Sequence, residues 1–221
     1  MEDKKTVALV SITVNAVQPM MQYIRKNETD FKVVNYLDGY LMEKIKQEGG
    51  ISPESMNRFT DMIGKAFRDG ADGVITTCTV FSPYTECFSK LYKKPVVPAD
   101  TAMLDNASKC EGKTAIICTF QGTVETTRNA YFECRRKNKM SEEVDVYTVK
   151  EAFDAAQRGE MAESDRIVAE KIQELDSLYD QIVLAQISMA GAAELVTLQH
   201  AKLFTSPREA MGKLKEQLKS I

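Results

Sequence analysis

Along the chain, short apolar runs alternate with longer amphipathic ones. The short runs predict strands at Thr6–Thr13, Phe31–Tyr36, Gly73–Thr77, Pro95–Val97, Thr114–Thr119, Val144–Val149, Gln181–Ala185 and Lys202–Thr205. Val7–Val10, Ala115–Cys118 and Ile182–Ala185 are almost unbroken, the pattern of parallel strands covered on both faces. Helix signals fall between the strands. Ser52-Pro53-Glu54 supplies a capping residue, a proline suited to the first turn and an acid near the positive helix end. Behind it Met56, Phe59, Met62, Ile63, Ala66 and Phe67 form one stripe, and Gly70 stops the run. Ser82-Pro83 repeats the device before Tyr84–Tyr92, with Ser82 as the N-cap. Val124–Lys137 is a further helical run, and Ile167, Val168, Ile172, Leu175 and Leu178 mark a long helix from Glu163 to Tyr179. A short helix pattern covers Ala192–Gln199. Strands and helices alternating in this way give an α/β protein with mainly parallel sheets.

The chain also repeats itself. Lys5-Thr6-Val7-Ala8-Leu9-Val10-Ser11 is similar to Lys113-Thr114-Ala115-Ile116-Ile117-Cys118-Thr119, an offset of 108 residues. Asp72-Gly73-Val74-Ile75 falls opposite Asp180-Gln181-Ile182-Val183, and Lys94-Pro95-Val96-Val97 opposite Lys202-Leu203-Phe204-Thr205, at the same offset. Three strands holding one register predict two pseudo-symmetric lobes, each a mainly parallel sheet flanked by helices, with a cleft between them. Their expected bounds are 1–97 plus 206–221 for the first lobe and 98–205 for the second. Ligands in open α/β sheets bind beyond the carboxyl ends of the strands, so the residues that follow each strand carry the interest.

Composition narrows the chemistry. The 221 residues include 29 Lys+Arg against 32 Asp+Glu, a formal charge of −3, which argues against a nucleic-acid partner. No apolar run approaches the roughly 20 residues of a membrane span, so no membrane partner is expected. The opening MEDKKTVALV has no cleavage-site signature, and no signal peptide is expected. Five cysteines without CxxC spacing read as reduced thiols of a cytoplasmic protein rather than as disulfides or a zinc site. One histidine excludes a His-rich metal site, so acid–base chemistry falls to Cys, carboxylates, Lys, Tyr or that one exposed imidazole.

Cys78 follows the strand at Gly73–Thr77, in the turn before the helix signalled by Ser82-Pro83. Backbone N–H groups and a positive helix end there would favour a thiolate, and Thr77 and Thr79 add hydroxyl donors without negative charge. The alternative is a buried small residue, since free cysteine is among the most buried types. Cys118 falls opposite Val10 in the repeat and reads as packing; Cys87, Cys110 and Cys134 read as structural.

Thr-x-Cys-Thr at a strand end, a second such strand half a chain later, the loop Cys118-Thr119-Phe120-Gln121-Gly122-Thr123-Val124 and the late Thr205-Ser206-Pro207 resemble the aspartate/glutamate racemase superfamily, over essentially the whole chain. That group includes glutamate, aspartate and hydantoin racemases, maleate isomerase and arylmalonate decarboxylase. The resemblance implies a two-lobed isomerase, a homodimer, binding a small carboxylate without metal, PLP or nucleotide. It also implies two cysteines, one per lobe, exchanging the substrate's α-proton from opposite sides.

Here the sequence departs from the pattern. The register carries Cys78 onto Gln186, in Leu184-Ala185-Gln186-Ile187-Ser188. A glutamine amide hydrogen-bonds but neither accepts nor releases a proton near neutral pH. Three readings stay open: Cys78 as a one-sided base with Gln186 holding the enediolate, Cys78 as the nucleophile of a covalent isomerase, or Cys78 protonating the carbanion of a decarboxylation. A non-catalytic carboxylate-binding protein is the rival from another class. Thr13, Asn15, Thr77, Thr79, Thr119, Thr123 and Ser188, all near strand ends, are the expected donors to the carboxylate, although each is also a common turn or cap residue. The lone His200 matches no family motif and reads as a helix-end or surface residue.

Overall fold

The computed structural model describes residues Lys4–Ser220. The chain divides into two compact units, one running to Ala99 and rejoined at Ala210, the other spanning Asp100–Glu209. The first unit holds β1 (Lys5–Ser11), α1 (Val17–Asn27), β2 (Phe31–Leu37), α2 (Gly39–Glu48), α3 (Pro53–Arg68), β3 (Gly73–Thr76), α4 (Thr85–Tyr92) and β4 (Val96–Pro98). The second holds α5 (Thr101–Ser108), β5 (Thr114–Cys118), α6 (Val124–Lys137), β6 (Asp145–Thr148), α7 (Lys150–Gln157), α8 (Met161–Leu175), β7 (Gln181–Leu184) and β8 (Lys202–Thr205). The chain returns to the first unit within α9 (Ser206–Lys219).

Each unit is a four-stranded sheet, ordered β2-β1-β3-β4 in the first and β6-β5-β7-β8 in the second. Every pairing in them is parallel. This is the α/β architecture expected from the alternating pattern, and all eight predicted strands are present to within a residue or two at each end. The central strands β1, β3, β5 and β7 are buried almost throughout, which is why they read as unbroken apolar runs.

The cores follow from the helix stripes. Phe59, Ile63 and Ala66 of α3 pack with Ala8, Val10 and Val74 of the first sheet and with Phe81 and Phe88. Val168, Ile172 and Leu175 of α8 pack with Ala115, Ile117, Ile182 and Leu184 of the second. Ser52 caps α3 as its sequence requires, accepting from the Ser55 N–H at 3.1 Å. Gly73 is needed for close approach: a Cβ there would meet Leu214 Cδ1 of α9 at 2.6 Å.

Four expectations need correction. The repeat offset of 108 holds for β3 and β7, but β1 and β5 correspond at 107, and so do β4 and β8: Ala8 and Val96 pair with Val74, and Ala115 and Leu203 with Ile182. Cys118 therefore corresponds to Ser11, not Val10. Because strand side chains alternate, a one-residue slip exchanges faces, so the difference changes which residues are equivalent. The helix expected over 163–179 ends at Leu175, and Leu178 lies exposed beyond it. Ala192–Gln199 is not an α-helix. A 3₁₀ run covers Ile187–Leu195, and Val196 is extended (φ −120°, ψ 149°). Val196 and Leu198 are half-buried while Thr197 and Gln199 are exposed, a period of two that β-branched Val196 and Thr197 favour over helix. Finally, Ser82 caps no helix: α4 begins at Thr85, and Ser82 lies inside a 3₁₀ run, Thr79–Tyr84.

Candidate functional site

Parallel strands deliver their carboxyl ends to one edge of each sheet, so the residues just past β1, β3, β5 and β7 gather there. In the first unit these include Ser11, Thr13, Asn15, Thr77, Cys78 and Thr79. The Thr77 N–H donates to the Val10 carbonyl at 3.1 Å, extending the ladder one residue beyond β3. The Thr77 hydroxyl then donates to Ser11 Oγ at 2.9 Å, tying the ends of β1 and β3 together. Ser11 Oγ is in turn 3.5 Å from Asn35 Oδ1 on β2. Neither Ser11 nor Asn35 is named by the sequence pattern. The signal for Ser11 is a polar residue closing a fully apolar run, and it is completely buried.

Cys78 comes next. It has extended backbone (φ −116°, ψ 113°) and stands at the head of the 3₁₀ run Thr79–Tyr84. Its side chain is 8% exposed and packs in the first unit's core cluster with Phe81 and Phe88. The run behind it is clamped by Phe81, whose ring stacks on Phe59 with centroids 3.8 Å apart. The expectation that an α-helix N-terminus abuts the thiol fails, since α4 starts seven residues after Cys78. Thr79 is exposed, Thr77 and Thr13 are half-buried, and Asn15 is exposed in a short 3₁₀ turn, Val14–Ala16.

In the second unit the structure brings Thr119, Thr123 and Gln186 together. Gln186 Oε1 accepts the Thr119 N–H at 3.0 Å and lies 3.4 Å from the Thr119 hydroxyl. Gln186 Nε2 donates to Thr123 Oγ1 at 3.0 Å, and that hydroxyl donates to the Phe120 carbonyl at 2.8 Å. Gln186 occupies the place Cys78 has in the first unit: two residues past its strand, extended (φ −120°, ψ 144°), and heading a 3₁₀ run. Ser188 is half-buried two residues further along. The carbonyl oxygen of Gln186 is committed to Thr119, which leaves the cluster one amide N–H to offer a ligand.

The other titratable candidates divide clearly. Cys118 is fully buried; burial pushes its thiol up, opposed in part by its hydrogen bond with Thr123. Burial likewise raises the Cys134 thiol, so both are inert packing residues. Cys87 is exposed on α4, and no cysteine is in a disulfide. His200 lies just before β8 at the amino end of the sheet, with Nε2 3.6 Å from Asp180 Oδ1. It is a surface residue, as expected, but no helix ends there. A depression of about 550 Å³, lined by Lys113, Glu142, Asp145 and Tyr179 among others, also lies at the amino ends, of β5 and β6. Among the described residues, no group of three His, Cys, Asp or Glu side chains is placed to hold a metal ion, and no helix is long and apolar enough to cross a membrane.

No family model matches the chain, and no curated protein matches it by sequence. Solved structures do. An aspartate racemase from Picrophilus torridus superposes with a TM-score of 0.69 at 13% identity, covering 97% of this chain and 94% of its own. Allantoin racemase from Klebsiella pneumoniae gives 0.66 at 12% identity over 98% and 88%. A glutamate racemase from Bacillus anthracis gives 0.65 at 14% identity over 99% and 83%. Identities this low speak to the backbone alone, and on that ground the chain has the fold shared by aspartate, glutamate and allantoin racemases.

Proposed function

We propose that the protein is a cofactor-independent, racemase-like isomerase acting at the α-carbon of a small carboxylate, with Cys78 as its working thiol. The observation that supports this most is the position of Cys78: a thiol two residues past a central strand, in a fold matched over nearly all its length to amino-acid and allantoin racemases. In this reading the Cys78 thiolate takes the α-proton and becomes the thiol, and the electron pair of the broken C–H bond passes into the carboxylate as an enediolate. Return of the proton from the thiol restores the starting configuration and the thiolate. Inversion needs a proton given to the opposite face of the enediolate by solvent water or by a group of the substrate, after which the thiol loses its proton to the hydroxide or conjugate base so formed. Hydroxyls of Thr13 and Thr79, the Asn15 amide and backbone N–H groups are the proposed donors to the enediolate oxygens, while the Thr77 hydroxyl gives its proton to Ser11 and holds the strand ends.

Gln186 takes no proton in this scheme. In the second unit the remaining Gln186 amide N–H and the Ser188 hydroxyl are proposed as neutral donors to a carboxylate, and Gln186 is held in place by Thr119 and Thr123, so the proton chemistry is one-sided. That same commitment of Gln186 to Thr119 and Thr123 favours a second reading, in which a single thiol suffices: protonation of a carbanion after loss of carbon dioxide, or simple binding of the carboxylate.

The deciding experiment is α-proton exchange in D2O, followed by NMR over a panel of amino acids, hydroxy acids, hydantoins and malonates. The thiol proton equilibrates with solvent, so each return delivers deuterium to carbon. Exchange that disappears in Cys78→Ala is the expected result. Deuterium entering only a decarboxylated malonate product favours the lyase. No exchange anywhere, with tight binding of one panel member, leaves the binding protein.

A further inference from the structure

The segments that follow the strands are notable for what they lack. In residues 12–16, 37–40 and 77–84 of the first unit the only charged residue is Asp38. Its charge is met by Arg58, whose guanidinium binds the carboxylate through Nε and, at 3.1 Å, through Nη2. This pairing holds the Asp38 carboxyl below the usual carboxylate range. The Arg58 guanidinium also lies 5.2 Å from the Tyr40 ring centroid, so its face is occupied as well. In the second unit, segments 119–123 and 185–193 carry no charge. Lys150, which follows β6, is paired with Asp154 at 2.5 Å. Arg208, in the first turn after β8, points back to the Leu203 carbonyl at 3.3 Å.

These uncharged segments instead present apolar side chains. Val14 follows β1, Leu37 closes β2, and Val80 and Tyr84 follow β3; they are 66%, 42%, 42% and 40% exposed. They share the sheet edge with Cys78 and with the hydroxyls of Thr13 and Thr79. Such an edge can hold one carboxylate through neutral donors and can cover an apolar substituent. A second carboxylate would lose water there without gaining a cation, which is unfavourable.

We infer that the ligand is a monocarboxylate with an uncharged apolar substituent, aliphatic or aromatic, and not an acidic amino acid. The inference rests on the proposed racemase-like reading for the location of the site, and its test separates the two. Exchange rates in D2O are measured for phenylalanine, phenylglycine and leucine against aspartate and glutamate. Binding of phenylacetate and of succinate, which needs no chemistry, is measured by ligand-observed NMR on the intact chain. The expected result is exchange at least tenfold faster for the apolar acids and phenylacetate bound at least tenfold more tightly than succinate. Exchange of aspartate or glutamate at an equal or higher rate overturns the inference and leaves the reading standing. No exchange, with phenylacetate still preferred tenfold, removes the reading and keeps the ligand class. Neither exchange nor preference removes both. Val80→Lys, at an exposed position whose folding is checked by circular dichroism, should lower the phenylacetate-to-succinate ratio at least fivefold; an unchanged ratio overturns the assignment to this edge. The wild-type ratio decides the ligand class whatever that variant does.

Discussion

The two units fasten the same pair of strands at the same place by different means. In the first, Thr77 and Ser11 join the ends of β3 and β1 through their hydroxyls, one residue past β3. In the second, the equivalent residues are Ala185 and Cys118, which cannot make that bond, and the tie moves one residue outward to Gln186, Thr119 and Thr123. The backbone at positions 78 and 186 is nearly the same. The scaffold thus offers one position per unit beyond a central strand, and the neighbouring polar residues decide how it is used. Where Thr77 and Ser11 hold the strands, position 78 carries a thiol; where they are absent, position 186 is taken up by fastening.

The sharpest way to break this comparison is to empty each position in turn. Cys78→Ala should lower α-proton exchange at least a hundredfold, the scale of losing a general base. Its stability should fall by about 1 kcal/mol, the order of deleting one methylene-sized group from a core cluster. Gln186→Ala should show the opposite balance. The amide nitrogen of Thr119, a 7% exposed residue, loses its acceptor, a loss of roughly 1–3 kcal/mol by urea denaturation. Exchange should fall far less than in Cys78→Ala. Equal losses of exchange in the two variants would show that both positions do chemistry and would end the asymmetry. Gln186→Glu retains an acceptor for the Thr119 N–H and should recover part of the lost stability.

How much of this was legible in the sequence depends on which physical signal each feature leaves. All eight strands were, because strands buried on both faces or bounded by turn residues announce themselves in composition. The helices α3, α4, α6 and α8 were, through caps, prolines or long stripes. The helices α1, α2, α5, α7 and α9 were not named. α2, for instance, rests on the short stripe Leu41 and Ile45, and its capping residue Asp38 is shared with an ion pair from distant Arg58. At the candidate site the offset of 108 gives Cys78 and Gln186 like places past β3 and β7 in their own sheets, but it misplaces Cys118 by one residue. A single-residue shift between two apolar strands leaves the hydrophobic pattern almost unchanged, so only the hydrogen-bonded register reveals it. The Thr77–Ser11 and Gln186–Thr119 bonds join residues 66 and 67 positions apart, which no local pattern reports.

A smaller effect tests the first unit's tie directly. Thr77→Val keeps the shape and removes the hydroxyl that donates to fully buried Ser11, so a loss of about 1 kcal/mol is expected in urea denaturation. If the tie positions the thiol that follows it, Thr77→Val should also lower exchange. Loss of stability without any effect on exchange would show that the tie and the thiol are independent.

The smallest expected effect concerns the helices behind the two positions. Aligned by their buried stripes, Ser55, Phe59, Ile63 and Ala66 of α3 match Ser164, Val168, Ile172 and Leu175 of α8. In this alignment Asp165 falls where the first unit has Met56, which packs against the core. Asp165 lies against the 3₁₀ run behind Gln186: a Cβ on Gly191 would meet its Oδ2 at 2.2 Å, and its Oδ1 is buried without a hydrogen-bond partner. Burial accordingly raises its carboxyl above the ordinary aspartate value of 3.8. Below that value both folded and unfolded chains hold the proton and the carboxyl carries no penalty. As pH rises past it the unfolded chain ionises first, and stability falls until the folded carboxyl has ionised too. Asp165→Asn has no charge to lose, so it should be more stable than the natural chain at pH 7, by about 1 kcal/mol, with the gap closing below pH 3.8. A gap that persisted in acid would mean that the asparagine gains a new hydrogen bond, and that the unpaired carboxylate is not what distinguishes the second unit's support from the first's.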